Sequence, residues 1–528
     1  MRADQMYRSI PRMALLNAQR FDGELAVIDG DTSLTFREVG DRMTVVGQAL
    51  LAEGLGPGDR VALWAPNSAE WITIALGILA TGARLVPLNT RFKGSEAAYV
   101  LRKTGARTLF CADGFLGFDY LAMLRDADPS VPALADTILV GDRADAPPAD
   151  EPAVRSFDEF LQGAAGSGGS ELRSLVESLG PEDPSDIIFT SGTTGHPKGV
   201  MLRHGASLRC YETYNRSTDL GRGDRIMIVT PFFHCFGYKA GWMAALMAGA
   251  TAVPLPVFDA GAALRMIEER RITHTGGAPT MFWALLDHPS RPERDLSSFR
   301  VATASAAYVP AELIDRMARE LGVRPMTGYG LTEAHALVSV SQADDPPRLA
   351  AEWSGRVIEG TDVRIVDEAG RDVPLGQQGE LLVRGFQLMD GYYDDPDATS
   401  SVIDQDGWLH TGDVAYMNAE HYLKICDRKK DIFIVGGFNV APAEVEGLLL
   451  EWDRIAGCAV VGAPDPQWGE VGVAFVVPSG PGLTPDDVRA WAKDHMANYK
   501  VPRQVKIVDA LPTNATGKIL KGELRTLL

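Results

Sequence analysis

The sequence predicts an α/β protein. It has a large N-terminal domain of two similar layered α/β subdomains plus a β-rich subdomain, and a small C-terminal α+β domain. Three observations predict this. A βαβ unit occupies residues 59–88, a second copy follows at 224–255, and the texture changes beyond Gly360 and again near Asp431.

The first unit reads element by element. Val61-Ala62-Leu63-Trp64 is a short apolar strand. Asn67 or Ser68 can cap the following helix, because their side-chain oxygens accept from the free N–H groups of its first turn. Trp71, Ile74, Ala75, Ile78 and Leu79 recur at helical spacing. Gly82 suits the left-handed end of that helix, and Leu85-Val86-Pro87-Leu88 is the next strand. In the second copy, Asp224-Arg225-Ile226 matches Asp59-Arg60-Val61 at an offset of 224 − 59 = 165, and Val253-Pro254-Leu255 matches Val86-Pro87-Leu88 at 253 − 86 = 167. Two copies of one design imply two similar subdomains packed together, with ligands beyond the carboxyl ends of the strands. Between the copies, Gly163 to Gly169 reads as a flexible surface loop. Short alternating strands at Asp362–Val366 and Gly379–Arg384 mark the β-rich subdomain. Beyond Asp431 the pattern gives a helix at Ala443–Leu450, strands at Cys458–Val461 and Val471–Val477, and a helix at Pro485–Met496. The domains divide as 1–429 and 430–528, at Lys429-Lys430.

With 51 basic against 70 acidic residues the net charge is −19, which argues against nucleic acid as a partner. Five scattered cysteines form no CxxC pair, so reduced thiols in a cytoplasmic protein are expected. Met1 to Asp29 shows no apolar h-region. The uncharged run Ala240–Phe258 contains Gly241, Gly249, Pro254 and Pro256, which suit a buried helix, its cap and a strand better than a membrane span. No integral membrane segment is expected, and the oligomeric state is not readable from the sequence.

The chemistry is carried by motifs. The strand Ile187-Ile188-Phe189-Thr190 runs into Ser191-Gly192-Thr193-Thr194-Gly195-His196-Pro197-Lys198-Gly199. Glycines turn the backbone so that N–H groups point inward, hydroxyls add donors, and Lys198 adds a charge: equipment for holding a polyphosphate. It is not a Walker A loop, since Lys198 is followed by Gly199 rather than Ser or Thr. Gly328-Tyr329-Gly330-Leu331-Thr332-Glu333 fails as a Rossmann turn, because Glu333 occupies the third glycine position.

These strings resemble the signatures of the adenylate-forming superfamily, which includes acyl-CoA synthetases, aryl-CoA ligases, luciferases and peptide-synthetase adenylation domains. The resemblance covers most of the chain. It implies that Thr190, Ser191, Gly192, Thr193, Thr194, Gly195 and Lys198 hold ATP phosphates, that Tyr329 stacks near adenine alongside Gly328 and Gly330, that Thr332 contacts the α-phosphate and that Glu333 helps bind Mg²⁺. Asp413, in Trp408-Leu409-His410-Thr411-Gly412-Asp413, is similar to the aspartate that bonds the ribose hydroxyls. Asp427-Arg428-Lys429-Lys430-Asp431 is similar to the inter-domain hinge, with Arg428 on ribose or phosphate and Lys430 at the pivot. Gly436, Gly437 and Phe438 resemble the loop that lines the thiol acceptor's tunnel after domain rotation. Lys518, in Pro512-Thr513-Asn514-Ala515-Thr516-Gly517-Lys518, matches the catalytic lysine motif. The chain departs from the pattern where many relatives carry Gly-Gly-Ala-Pro along the adenine and acyl walls: here the residues are Ser305-Ala306-Ala307-Tyr308.

Phe232-Phe233-His234-Cys235-Phe236-Gly237 resembles the segment beside the bound carboxylate, which His234 would orient or gate. Tyr238, Lys239 and Trp242 are expected along the acyl path, with Lys239 either pairing with a polar group of the substrate or extending to water. The reading is a carboxylic acid–CoA ligase using ATP, Mg²⁺ and coenzyme A through an acyl-adenylate. The alternative is loading of a carrier-protein phosphopantetheine; no fused carrier domain with an Asp-Ser attachment site is seen, which favours free CoA. The texture at 237–242 and 436–439 resembles fatty-acid-type ligases, in particular actinobacterial ones acting on the ring remnants of steroid breakdown. That implies a medium-length or alicyclic acid.

Overall fold

The computed structural model describes all residues except 113, 129–135, 142–153, 164–168, 191–196, 308, 429–430, 436–437, 467, 497 and 516, and the side chains of 428, 438 and 439. Both copies of the βαβ unit form as the sequence repeat demands, one in each of two large sheets. In the first, Arg60–Trp64 leads through the helix Ala69–Ala80 to the parallel strand Arg84–Pro87. Ser68, rather than Asn67, caps the helix by accepting from the N–H of Trp71 at 3.0 Å. In the second, Arg225–Ile228 leads through the helical stretches Phe236–Met243 and Ala244–Ala248 to Thr251–Pro254. Gly249, at φ 76°, ends the helix, so the uncharged run is a buried helix, a cap and a strand. Among the described residues no helix is long and apolar enough to cross a membrane.

The repeat extends to its hydrogen bonds. Asp59 and Asp224 each accept from the N–H three residues earlier, at Gly56 and Gly221, both at 3.0 Å. Their carbonyls accept from Arg84 and Thr251, both at 2.8 Å. Arg60 donates to the carbonyl of Thr104 and Arg225 to that of Arg270, so each arginine sits on the carbonyl end of a helix, where the dipole favours a cation.

The first sheet runs, edge to edge, Gly391–Tyr392, Lys198–Arg203, Pro184–Thr190, Arg84–Pro87, Arg60–Trp64, Thr108–Ala112, Asp136–Val140, Val154–Ser156. The centre of the second has the same order, with Thr251–Pro254, Arg225–Ile228, His274–Gly277 and Val301–Ala304 in corresponding places. The helix Ala69–Ala80 is apolar nearly all round and eleven of its residues are buried, Glu70 being the exception. It lies against its counterpart from the second copy: Trp71 makes edge contacts with Phe232, Tyr238 and Trp242, and the last two rings stack at 4.7 Å. A helix with no polar face is stable only when enclosed. Asn67 joins the copies directly, donating to the carbonyls of Ile228 and Thr230 and accepting from the N–H of Phe232 at 2.7 Å.

The β-rich subdomain is a four-stranded antiparallel sheet, Thr361–Val366, Gly379–Gly385, Leu409–Met417 and Leu423–Arg428. The C-terminal segment has its own sheet, the helices Pro442–Leu450 and Pro485–His495, and a separate core around Phe433, Val460 and Val488. Most of the Gly163–Gly169 loop lies outside the described residues, and Gly169 itself begins a helix, Gly169–Ser178. All five cysteines are free thiols.

Asn67→Ala should lower the unfolding transition of the large domain by about 1–3 kcal/mol, because it leaves the buried N–H of Phe232 without its acceptor. Calorimetric unfolding reads this directly. An unchanged transition would mean that these bonds do not join the two copies.

Candidate active site

The site forms where both large sheets and the C-terminal segment meet. On the phosphate side, Thr190 and Lys198 pair directly across an antiparallel hairpin, which closes the loop between them; Ser191, Gly192, Thr193, Thr194 and Gly195 lie outside the described residues. The Lys198 ammonium lies 5.0 Å from the centre of the Tyr392 ring, and the Tyr392 hydroxyl donates to Glu333 at 2.9 Å. One aromatic ring thus spans the expected phosphate lysine and the expected metal carboxylate. Tyr392 belongs to no motif singled out in the sequence; it arrives because Gly391–Tyr392 adds to the free edge of Lys198–Arg203.

The turn carrying Thr332 and Glu333 is held by an unusual backbone. His335 and Ala336 both have positive φ, 52° and 58°. Gly330 must be glycine here, since a Cβ would lie 2.1 Å from the carbonyl carbon of Ala336. His335 locks the turn: it is fully buried, Nε2 accepts from the N–H of Arg203 at 3.3 Å, and Nδ1 faces the Gln387 carbonyl at 2.7 Å. This fixes the proton on Nδ1 and ties the Glu333 turn to the strand that leaves the phosphate loop. Strain of this kind persists where the surroundings over-determine it, and it concentrates at functional sites.

Ser305 accounts for the departure from the Gly-Gly-Ala-Pro pattern in part. Its hydroxyl donates to the Gly328 carbonyl at 2.8 Å, so it links this wall to the Tyr329 motif. Ala306 adopts φ 70°, keeping a conformation that glycine reaches without strain, and Ala306 and Ala307 are exposed. Tyr329 donates its hydroxyl to Asp413, which is buried, so the two groups expected at adenine and ribose contact each other. Asp413 pairs across its sheet with Arg428, whose side chain lies outside the described residues.

On the carboxylate side, the N–H of Phe236 donates to Nδ1 of His234 at 3.4 Å, so the neutral ring carries its proton on Nε2. Burial lowers the His234 pKa to about 4, and the Lys518 ammonium adds to this effect. Lys518 follows directly on Gly517, which packs on the large domain. The docking is direct: at Gly517 a Cβ would lie 3.0 Å from Oγ1 of Thr280 and 3.3 Å from Ala278. Asn514 shapes the Lys518 loop, its side chain accepting from the Lys518 N–H at 2.9 Å and its N–H donating to the Lys518 carbonyl at 2.8 Å. Burial pushes the Cys235 thiol up to about 12, and the Asp186 and Glu333 carboxylates push the same way.

Three expectations need correction. Lys239 neither extends to water nor reaches toward a substrate. It is fully buried, with Nζ 2.8 and 2.7 Å from the two carboxylate oxygens of Asp186. Its partner comes from the strand Pro184–Thr190, 53 residues away, where local sequence gives no hint of it. Tyr238 and Trp242 are fully buried core residues of the paired helices. Only His234 and Phe236 of this segment's side chains from 234 to 242 keep partial exposure. Lys430, Gly436 and Gly437 lie outside the described residues, and of Phe438 only the backbone, paired with Val435, is described.

No group of three or more His, Cys, Asp or Glu among the described residues is set to hold a metal alone. Glu333, a single carboxylate beside the phosphate hairpin, fits Mg²⁺, which takes one or two protein carboxylates and completes its shell with water and substrate phosphates.

The pattern of the AMP-binding enzyme family matches residues 16–393, and that of the AMP-binding enzyme C-terminal domain matches 444–518. The chain belongs to the AMP-binding enzyme family. It is 46% identical, over 97% of both chains, to a methyl-dioxo-octahydro-indenyl-propanoyl:CoA ligase of Rhodococcus jostii. It is 42% identical, over 98% of this chain and 99% of the other, to the ligase of the same name from Mycobacterium tuberculosis. The mitochondrial medium-chain acyl-CoA ligase of Homo sapiens is 33% identical over 95% of this chain and 84% of its own. Among solved structures, an anthranilate CoA ligase in complex with anthranoyl-AMP superposes with a TM-score of 0.89, at 28% identity, over 100% of this chain and 99% of that one.

His204 and His335 share the condition of His234: burial lowers each to about 4. An unfolded histidine titrates near 6.5, so between about pH 6.5 and 4 the unfolded chain binds more protons than the native one. Stability should therefore be flat above pH 6.5 and fall steadily as pH drops from 6.5 toward 4. Unfolding midpoints measured across pH 4.5–8 check this, and His335→Asn should flatten the acid slope. A midpoint that holds or rises on acidification in this window would contradict the neutral assignment.

Proposed function

We propose that the protein is a carboxylic acid–CoA ligase whose acid is alicyclic, a bicyclic ring ketone carrying a propanoate arm. The single observation that carries the ligase reading is the docking of the Gly517-Lys518 turn on Ala278 and Thr280 of the large domain, which also holds the Lys198–Tyr392–Glu333 cluster. His234 supplies a neutral hydrogen-bond donor on the carboxylate side, and on the phosphate side Tyr392 joins a cation to a carboxylate. The choice of acid is supported by the names of the two relatives above 40% identity.

In the first half-reaction a carboxylate oxygen attacks the α-phosphorus of ATP. The new O–P bond forms, the bond to pyrophosphate breaks, and acyl-adenylate results. Nε2–H of His234 would orient the carboxylate, and Lys518 would neutralise charge that accumulates between carboxylate and α-phosphate. Thr332 would meet the α-phosphate, Lys198 and the loop from Ser191 to Gly195 the outer phosphates, Tyr329 the adenine, and Asp413 with Arg428 the ribose. Glu333 would hold Mg²⁺, which would supply charge neutralisation. In the second half-reaction the CoA sulfur attacks the acyl carbon, the thioester forms and AMP leaves with the electron pair of the broken C–O bond. We place the domain boundary at 429/430, with Lys430 as the pivot that brings Gly436, Gly437 and Phe438 to the acceptor path. The free thiols support a cytoplasmic enzyme.

Purified protein with ATP, Mg²⁺ and CoA should form AMP and an acyl thioester from the bicyclic propanoate, with octanoate a weaker substrate. Turnover confined to amino acids, or AMP formation from none of the acids, would overturn the reading.

A further inference from the structure

We propose that Asp186 and Lys239 form a positioning pair that sets the register between the carboxylate-binding segment and the phosphate-loop strand; this rests on the ligase reading. Asp186 lies four residues before Thr190, on the strand that enters the phosphate loop, and Lys239 lies five residues after His234. Both side chains have zero exposure. Two N–H groups of the ammonium reach the two oxygens of Asp186, and the charge stands 4.0 Å from the centre of the Tyr238 ring. The Ser185 hydroxyl donates to Asp186 Oδ2 at 2.8 Å.

Stability does not explain this pair. Burying two charges costs several kcal/mol of lost hydration, and an apolar pair of similar volume commonly serves as well or better. The first copy of the βαβ unit supplies the comparison within the molecule. At offsets of 165 to 167, Lys239 corresponds to the stretch Ile72 to Ile74, in a helix whose buried positions carry no charge. The unit folds without an ion pair, and the ion pair appears in the copy that carries His234.

The local backbone shows why this copy needs a fixed point. Phe236–Met243 is a π-helical stretch, and Gly241 departs from helical geometry at φ −90°, ψ −106°. Such widened turns are often found at functional sites. The stretch is pressed onto the strand and turn that precede it: a Cβ on Gly237 would lie 2.3 Å from the Thr230 and Pro231 carbonyl oxygens, and one on Gly241 2.8 Å from Ile228. Aromatic packing against Trp71 tolerates sliding, whereas a two-bond ion pair fixes position along the facing strand. The distance so fixed is the one from the acid's carboxylate to the phosphates. A misplacement of about 1 Å can cost about 10²-fold in rate.

The test replaces the pair with apolar residues, Asp186→Leu with Lys239→Met, and uses the bicyclic propanoate and octanoate as probes. Expected are an unfolding midpoint at or above wild type, acid-dependent ATP–pyrophosphate exchange slower by about 10²-fold in kcat with KM for ATP unchanged, and normal thioester formation from supplied acyl-adenylate and CoA. Asp186→Glu, which keeps both charges and changes the spacing by one methylene, should slow exchange while folding normally. A folded double variant that exchanges at the wild-type rate overturns the positioning role. If the double variant does not fold, wild-type exchange by Asp186→Glu overturns it. Wild-type protein with no acid-dependent exchange removes the ligase reading, and this proposal with it.

Discussion

Two crossover helices without a polar face constrain the whole large domain. Ala69–Ala80 and its counterpart across Phe236–Ala248 can be stable only if enclosed on every side. Two sheets provide the enclosure, and the helices interlock through Trp71, Phe232, Tyr238 and Trp242. The rest follows from that sandwich. The strand ends of both sheets come to one place, so the Thr190–Lys198 pair, the turn at Glu333 and the segment at His234 become neighbours although they are far apart in sequence. Asn67 fastens the arrangement where one copy's strand ends against the other's helix start.

The site inherits a chemical problem from a chain of net charge −19. Its substrates, by the proposed reading, are anions as well. The structure meets this locally. Lys198 and Lys518 approach from different elements, and His234 stays neutral, so it can donate a hydrogen bond without adding a titrating charge in the physiological range. The strained backbone at His335 and Ala336 holds the Glu333 turn in place through a buried histidine whose tautomer is fixed on both sides. Rigid placement of few charges is what catalysis by preorganised electrostatics requires.

Much of this was legible in the sequence because it rests on local rules. The βαβ repeat announced itself through matching Asp-Arg and Val-Pro-Leu residues, and it formed with matching register and hydrogen bonds. The motifs around Lys198, Glu333, Asp413 and Lys518 were readable because each is a continuous string. Tyr392 and His335 were not, because their roles come from pairing with strands nearly 200 and over 130 residues away. Lys239 was misread for the same reason: its partner Asp186 is remote. The repeat itself held the correction for Trp242 and Tyr238, since their helix corresponds to one that is plainly core.

In the proposed reaction Lys518 assists adenylation, and the C-terminal domain then moves away for thioester formation. Lys518→Ala, assayed separately in the two half-reactions, tests it most directly. The account predicts that acyl-adenylate formation from ATP and acid falls by about 10²–10³-fold, while supplied acyl-adenylate and CoA still give thioester at a near-normal rate. Equal losses in both half-reactions, or adenylation at the wild-type rate, would contradict it.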